Sequence, residues 1–356
     1  MPTQYYTLED FRKVEKIDAH MHMWEDFDTL FAEQAIKDNF SLVNVSVFTS
    51  PDLSPRKQDE FSLRILPQFP GKVHFITTFS LEGFHQPGWA ESVIVYLTEM
   101  VAKGAIGVKV WKNIGMELRD LNGDFVMIDH PAFKPIIEFL IQQNIPLLAH
   151  LGEPKNTWLP LEQMTVQGDR DYFRENPEYH MFLHPEYPNY DQQIAARDRL
   201  LARYPQLNFI GAHLGSMEWS VHELAKRLDD FPHMAVDLAE RISHLQHQAV
   251  SDWQSVHDFL IKYQDRILYG TDLRSSAPDI AAKGLTEKSD FMAHAHEIWL
   301  RHWRFFVTDE LMEVPKVSGS FKGMKLPKPV IDKIYRTNAL RWYLKLASDD
   351  RPMSGS

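Results

Sequence analysis

The 356-residue sequence contains no cysteine. Disulfide bonds, thiolate metal sites and cysteine nucleophiles are therefore excluded. A bound metal ion has to be held by histidine, by a carboxylate or by a lysine-derived oxygen. The absence of cysteine is consistent with a reducing compartment but does not require one.

Basic clusters and long apolar runs are also missing. Lys and Arg number 38 against 49 Asp and Glu, a formal net charge of −11, which argues against nucleic acid or an anionic membrane as a partner. No stretch approaches the roughly 18 apolar residues of a membrane span, and the N-terminal residues lack the regions of a signal peptide. We therefore expect a soluble, cytoplasmic protein with a small-molecule substrate. A homodimer or a larger homo-oligomer is left open.

The sequence does contain a repeated alternation of apolar runs and helical segments. The runs are mostly apolar on both faces, as parallel strands between a packed interior and an outer helix layer should be. We predict a closed (β/α)8 barrel, with a doubly wound open sheet as the alternative; no glycine-rich phosphate loop follows the first run to support the open sheet. The predicted strands cover residues 14–22, 41–48, 72–79, 105–111, 145–150, 207–213, 234–238 and 266–271.

Helical periodicity occupies the segments between and after these runs. We expect a single catalytic domain over residues 1–346, its last helix packed on the outside of the barrel, and a disordered tail over 347–356. The predicted helices cover residues 28–39, 87–104, 131–143, 190–204, 218–230, 252–263, 290–306 and 329–346.

The loops that leave the strands are longer than the loops that enter them. Residues 113–130, 151–189 and 273–289 form the longest of these exits. In a barrel the exit loops build the mouth that carries function. Residues 151–189 are rich in aromatic residues and histidine, and we predict a lid over the mouth; a packed insertion without a ligand role is the alternative.

Four of the apolar runs end with residues that can bind a metal ion. His20 and His22 end the first run, and the period of two along a strand predicts that Asp18 shares their face. Since all strand ends of a barrel meet at one mouth, residues far apart in sequence come together there. Any one of them is more simply explained as a structural histidine or a capping aspartate, but four at the same register predict a site. The other three runs end with His150, His213 and Asp272.

These motifs resemble the amidohydrolase superfamily. Within it they resemble the amidohydrolase-related branch that includes aminocarboxymuconate-semialdehyde decarboxylase, resorcylate decarboxylases and pyrone-dicarboxylate lactonase. The resemblance spans most of the chain, is specific for the superfamily and does not specify the reaction. It is carried by Asp18-Ala19-His20-Met21-His22, Ala149-His150-Leu151-Gly152, Gly211-Ala212-His213-Leu214-Gly215 and Gly270-Thr271-Asp272, with residues 335–344 similar to the branch's closing helix.

The resemblance implies one divalent metal ion, zinc in the first place with manganese or iron as alternatives. It implies that His20, His22 and His150 hold the ion, and that Asp272 is a fourth ligand, a proton acceptor or both. It implies further that His213 polarises the substrate or orients the attacking water. Neutral imidazoles suit these metals, protein-held zinc can lower the pKa of water to about 7, and a nearby carboxylate can accept the proton.

Strand four departs from the binuclear members of the superfamily, which place a carbamylated lysine or a glutamate there to bridge two metals. Lys109 should face the barrel interior, because an unpaired lysine among the helices would be costly. We interpret it as a cation for the substrate, with a bridging carbamate as the alternative. Arginine at a mouth suits a carboxylate, although a rim salt bridge explains it equally well. The other substrate-binding candidates are Trp24, Lys112, Glu153, Arg241 and Arg274.

Two reactions could use such a site. Hydrolysis of an ester, lactone or amide bond in a small, anionic or hydroxylated molecule by metal-activated water is the preferred prediction. Non-oxidative decarboxylation of a small carboxylic acid is the alternative. A barrel that binds a ligand without catalysis is disfavoured, because both His213 and Asp272 are present.

Overall fold

Eight parallel strands form the centre of the fold. The computed structural model describes residues 4–24, 29–49, 53–274 and 288–343. In these residues β1, β2 and β3 lie in one sheet, and β4 to β8 follow one another in a second sheet. The strands are β1 Lys16–His22, β2 Phe40–Val45, β3 Val73–Ile76, β4 Val108–Val110, β5 Leu147–Ala149, β6 Phe209–Gly211, β7 Met234–Asp237 and β8 Ile267–Leu268.

Two seams close these sheets into a barrel. Thr77, directly after β3, forms a parallel bridge with Val108 of β4. On the other side the Ala19 amide donates to the Tyr269 carbonyl at 2.9 Å, and a two-residue strand, β9 Leu273–Arg274, pairs with the end of β1. The predicted (β/α)8 barrel is confirmed, and the open sheet is excluded.

Helices occupy the connections between the strands. Three of them, Pro55–Ile65, Gln167–Glu175 and Ile242–Ser251, were not predicted from the sequence. Within the described residues no helix combines the length and the apolar character needed to cross a bilayer. The other long helices and the C-terminal helical segments are Thr29–Lys37, Trp89–Ala102, Lys134–Gln142, Tyr190–Arg203, Val221–Asp230, Trp253–Lys262, Lys288–Val307, Lys328–Asp332 and Asn338–Trp342. The π-helical turn Lys333–Thr337 lies between the last two. A short hairpin pairs Leu311–Met312 with Phe321–Lys322.

Strand side chains alternate between the barrel interior and the helix layer. On β5, Leu148 belongs to the interior cluster while Leu147 and Ala149 pack towards the helices. On β6, Ile210 lies inside and Phe209 outside. Burial on both sides is the reason that these strands are apolar throughout.

A β-bulge interrupts the alternation in β1. Asp18 pairs with Leu42 of β2, and Met21 pairs with Asn44, so three steps along β1 match two steps along β2. An extra residue of this kind resets which face the following side chains take.

The bulge directs Asp18 and His20 to different faces of β1. Ala19 lies in the interior cluster, whereas the Asp18 carboxylate accepts a hydrogen bond from Trp299 Nε1 of the helix layer at 2.9 Å. His20 and His22 then line the mouth. The prediction that Asp18 shares their face is therefore wrong, because strict alternation does not hold across a bulge.

The C-terminal helix closes the bottom of the barrel. Ala339, Trp342 and Tyr343 join the interior cluster. Asn338 Nδ2 donates to the carbonyls of Gln264 and Ile267, both at 2.7 Å. We had expected this helix to pack on the outside of the barrel. It instead covers the open end, because its apolar residues complete the interior. The predicted tail, 347–356, lies outside the described residues.

Candidate metal centre and active-site cavity

A cavity of about 380 Å³ opens at the carboxyl ends of the strands. Volumes of this size accommodate small molecules. Every site residue predicted from the sequence lines this cavity, although their individual roles stay predictions. These residues are His20, His22, Trp24, Lys109, Lys112, His150, Glu153, His213, Arg241, Asp272 and Arg274.

Residues of the segment 151–189 form part of the cavity wall. The unpredicted helix Gln167–Glu175 lies in this segment and is strongly polar on one side. The aromatic richness of the segment was the sequence feature that indicated a wall, but the pattern did not say which aromatics face inward. The segment contributes Glu153, Pro154, Gly168, Asp169, Tyr172, Phe173 and Tyr179 to the lining.

Three candidate ligands form a compact cluster within the described part of the chain. One ligand atom each from His20, His213 and Asp272 lies within 4.8 Å of the other two. His22 Nε2 adds a contact of 3.0 Å to Asp272 Oδ1. His150 stands beside this cluster, its ring centroid 4.2 Å from that of His213.

Three of the imidazoles are oriented through Nδ1. The Nδ1 atom of His20 lies 2.7 Å from Asp237 Oδ2, that of His22 lies 2.6 Å from the Val45 carbonyl, and that of His213 lies 2.9 Å from the Ala239 carbonyl. Each of these partners accepts hydrogen bonds only, so Nδ1 carries the proton in the neutral ring. The Nε2 lone pairs are then free to bind a metal ion, an arrangement common around metal-binding histidines.

The residues around His22 fit a bound cation. A neutral imidazole has one N–H, yet His22 places Nδ1 against the Val45 carbonyl and Nε2 against the Asp272 carboxylate. Burial lowers the pKa of His22, and the hydrogen bond with Asp272 offsets this only in part, so a second ring proton is disfavoured. A metal ion between Nε2 and the carboxylate would satisfy both groups.

The protonation states of the cluster suit the same conclusion. Burial lowers the pKa of His213 to about 3 and that of His150 well below its usual range. Burial alone would raise the pKa of Asp272, but the hydrogen bond with His22 and the neighbouring His213 and His20 hold it well below its usual range. The site therefore combines neutral imidazoles with an ionised carboxylate.

Lys109 lies on the floor of the cavity. Its side chain points inward, since its neighbours Val108 and Val110 pack towards the helices. The residue is 1% exposed, and its Nζ lies 3.4 Å from His20 Nε2. Burial lowers the pKa of Lys109 to about 8, against the opposing effect of Asp237 and Asp272.

The turn that carries His213 has an uncommon backbone conformation. His213, Leu214, Gly215 and Ser216 all have positive φ values, of 59°, 57°, 63° and 57°. Left-handed conformations cost about 1–2 kcal/mol for each residue with a Cβ atom, and such strain concentrates at functional sites. Gly211 permits the tight turn, because a Cβ atom there would lie 2.7 Å from the Gly215 Cα.

Charged residues surround the upper cavity. Lys112 forms an ion pair with Glu153, and Lys316, which the sequence did not indicate, pairs with Glu240 at 2.6 Å. Arg241 has a buried Nε without a hydrogen-bond partner in the described residues. Its guanidinium therefore retains a donor for a ligand.

Sequence reasoning also missed Asp237. It is 1% exposed at the end of β7 and contacts both His20 and the backbone of His213. The criterion that identified the four ligand-bearing strand ends applies equally to strand seven, which ends with this aspartate. That pattern was sufficient to find it.

Solved structures that are similar in fold include two decarboxylases and a hydratase. A 2,6-dihydroxybenzoate decarboxylase in complex with 2,6-dihydroxybenzoate matches with a TM-score of 0.54 at 15% identity, over 93% of this chain and 99% of the other. The 2,6-dihydroxybenzoate decarboxylase from Rhizobium gives 0.53 at 15% identity, over 93% and 98%. The 4-oxalomesaconate hydratase from Rhodopseudomonas palustris gives 0.50 at 13% identity, over 94% and 97%. At these identities the likeness concerns the fold.

Comparison with curated proteins gives no match. The sequence model of the family described as Amidohydrolase matches residues 81–345, which is most of the chain. The resemblance noted in the strand-end motifs is thereby confirmed, and the protein belongs to the amidohydrolase family.

Proposed function

We propose that this enzyme is a metal-dependent decarboxylase that acts, without an oxidant, on a small, flat, unsaturated carboxylic acid. One feature carries the proposal. The buried ammonium of Lys109 lies on the cavity floor beside His20 and has no ion-pair partner among the described residues. A buried cation in this position suits a substrate that brings its own negative charge.

The walls of the cavity suit a planar substrate. Aromatic rings provide extended apolar faces against which a flat conjugated molecule can pack. The free Nε donor of Arg241 supplies a second position for a carboxylate or hydroxyl oxygen. The aromatic residues of the wall are Trp24, Trp111, Tyr172, Phe173 and Tyr179.

His20, His22 and Asp272 would hold the metal ion that the family implies, together with His150 or His213. When bound there, it supplies Lewis-acid polarisation of a substrate oxygen. The remaining tasks belong to the side chains. Asp237 and the Val45 carbonyl orient two of the imidazoles, and the aromatic wall offers apolar faces to the substrate.

Decarboxylation needs a proton at the carbon that loses the carboxyl group. The bond to the carboxyl carbon breaks, its electron pair stays on the substrate carbon, and carbon dioxide leaves. We assign the incoming proton to Lys109 Nζ, because burial lowers its pKa to about 8 and so eases its release. Solvent returns the proton after the product leaves.

The likeness in fold to two 2,6-dihydroxybenzoate decarboxylase structures supports this choice of reaction. That likeness does not identify the substrate.

Hydrolysis, the preferred prediction from the sequence, is the second candidate. It is favoured by Asp272, which is ionised, opens on the cavity and lies 3.0 Å from His22. A carboxylate in this state can accept a proton from an attacking water molecule. The bond broken would be that of a small ester, lactone or amide.

The two candidates differ in their products. Zinc- or manganese-loaded protein is incubated with carboxyl-labelled hydroxybenzoates and unsaturated acids, and separately with matched esters and lactones in water enriched in heavy oxygen. We expect labelled carbon dioxide, with solvent deuterium at the vacated carbon when the reaction runs in heavy water. Heavy oxygen in a new carboxylate without carbon dioxide release would overturn decarboxylation in favour of hydrolysis. The Asp272→Asn variant controls for contaminating activity.

A further inference from the structure

We infer that Asp237 is a positioning residue whose single carboxylate fixes both the ring of His20 and the turn that carries His213. The role follows from hydrogen bonds among the protein's own side chains and backbone. The inference rests on the proposed function only in treating His20 as a metal ligand, and it holds for decarboxylation and hydrolysis alike.

Both carboxylate oxygens of Asp237 have hydrogen-bond partners. Its Oδ2 lies 2.7 Å from His20 Nδ1. Its Oδ1 accepts from the amide of His213 at 2.7 Å and from the amide of Ala239 at 3.2 Å. Asp237 is 1% exposed, so water does not compete for these positions.

The first consequence concerns the tautomer of His20. A carboxylate can only accept, so the contact with Asp237 places the ring proton on Nδ1. Nε2 then presents its lone pair to the cavity, where Asp272 Oδ1 lies 3.6 Å away and Lys109 Nζ 3.4 Å away. This is the form of imidazole that a metal ion requires.

The second consequence concerns the left-handed turn. The amide of His213 is the first donor of this turn, and the Asp237 carboxylate is its acceptor. Arg197 donates to the carbonyl of Gly215, and the Tyr190 hydroxyl donates to that of Ser216 at 2.6 Å. These bonds stabilise a conformation that non-glycine residues otherwise avoid.

The substitution Asp237→Asn tests both roles with little change in volume. An amide offers one acceptor oxygen and one donor nitrogen, whereas the two carboxylate oxygens face the ring of His20 on one side and the amide of His213 on the other. If the amide nitrogen faces His20, the ring is driven to the tautomer with the proton on Nε2. If it faces His213, two donors oppose each other and the turn loses its acceptor.

The experiment measures zinc affinity and the His20 tautomer in the full-length chain. Affinity is determined by competition with a chelator, and the ring protons by heteronuclear NMR on histidine-labelled protein, with His20 assigned from a His20→Gln variant. The nitrogen should face His20, because the other orientation would leave the amides of both His213 and Ala239 without an acceptor. We therefore expect Asp237→Asn to weaken zinc binding about 10- to 100-fold and to lose the wild-type Nδ1–H signal of His20.

Asp59→Asn is the matched control. Asp59 is also an aspartate with 1% exposure, but it accepts hydrogen bonds from Ser46, Thr77 and Tyr96 and from no cavity histidine. This variant should keep both the zinc affinity and the His20 signal.

Three results would overturn the inference. They are zinc binding as tight in Asp237→Asn as in wild type, an equal loss of affinity in Asp59→Asn, and a wild-type His20 that carries its proton on Nε2. The last measurement needs no Asp237 variant, so it decides the matter even if Asp237→Asn does not fold. Failure to find a substrate affects none of these readouts, which separates this inference from the proposed reaction.

Discussion

Asp272 is the residue at which the proposed metal site and the proposed chemistry meet. Replacing it with asparagine keeps the shape but removes the negative charge and the capacity to accept a proton. We expect Asp272→Asn to lower kcat/KM by roughly two to four orders of magnitude with an unchanged circular dichroism spectrum. A variant that turns over at the wild-type rate would remove Asp272 from the mechanism.

Lys109 distinguishes a substrate cation from a metal bridge. If Lys109 is a cation and proton donor, Lys109→Ala should lose turnover but keep the bound metal. Elemental analysis measures the metal. The alternative, a bridging carbamate, requires two metals about 3.5–4 Å apart and loss of at least one of them in Lys109→Ala. Lys112→Ala is the comparison, because that lysine lies at the cavity wall paired with Glu153; we expect it to lose less activity.

At this scale the sequence predicted the lining of the cavity well, and physical reasons explain what it missed. His20 lies in β1, and His150, His213 and Asp272 follow other buried strands, so the geometry of the barrel alone brings them together. Lys316 lies on a loop whose course no periodicity describes, and Tyr172 lies on the helix Gln167–Glu175, which was not predicted. Their inward placement depends on contacts such as Lys316 with Glu240, which are distant in sequence.

The helix Pro55–Ile65 illustrates how an element can escape prediction. Its buried face contains Gln58, Asp59 and Ser62 as well as Phe61 and Ile65, so no clear apolar stripe marks it in the sequence. The polar residues are buried because they bond to the ends of β2 and β3.

Asp59 makes the stability of this region depend on pH. Burial raises its pKa from the usual 3.8 to about 6, although hydrogen bonds from Thr77, Tyr96 and Ser46 oppose the shift. A raised carboxyl pKa means that its stabilisation is complete below pH 3.8 and is lost as pH rises through 6. Relative to wild type, Asp59→Asn should therefore gain stability between pH 4 and 7, by up to about 3 kcal/mol. Urea unfolding at both pH values tests this, and a constant difference would contradict it.

The C-terminal helix should contribute to stability without touching the chemistry. Asn338→Ala leaves the carbonyls of Gln264 and Ile267 without their donor, at a cost of about 1–3 kcal/mol in the free energy of unfolding. The matched change Asn208→Ala removes an exposed hydrogen bond from the Asn208 side chain to the Asn144 side chain. It should change the free energy of unfolding very little. Equal effects of the two variants would show that the bottom of the barrel does not depend on this contact.

For the molecule as a whole, the barrel was predictable because eight buried strands leave a strong pattern in the sequence. The β-bulge and the left-handed turn were not, since each depends on local backbone conformations that the pattern of side chains does not record. The lid role of 151–189 and the association into a homodimer or larger oligomer stay predictions.

A bound metal ion should stabilise the entire fold. The proposed ligands lie on β1 and in the segments that follow other strands, so they join parts of the barrel that are distant in the chain. Any ion bound only by the folded state raises its stability. We expect near-stoichiometric zinc, manganese or iron, one per chain, by elemental analysis of protein purified without added metal, and a lower Tm after treatment with a chelator. Protein that contains no metal and cannot be reconstituted would refute the site.

The bulge in β1 has a consequence for how this chain can vary. It acts as a phase shift: residues before it present one parity of positions to the interior, and residues after it present the other. Deleting Ala19 would remove the extra residue and restore strict alternation, with Ile17, His20 and His22 all still facing the interior side of the strand. The bulge is therefore the place where this strand should tolerate the loss of one residue, whereas deleting Met21, after the bulge, would turn either His20 or His22 away from the mouth.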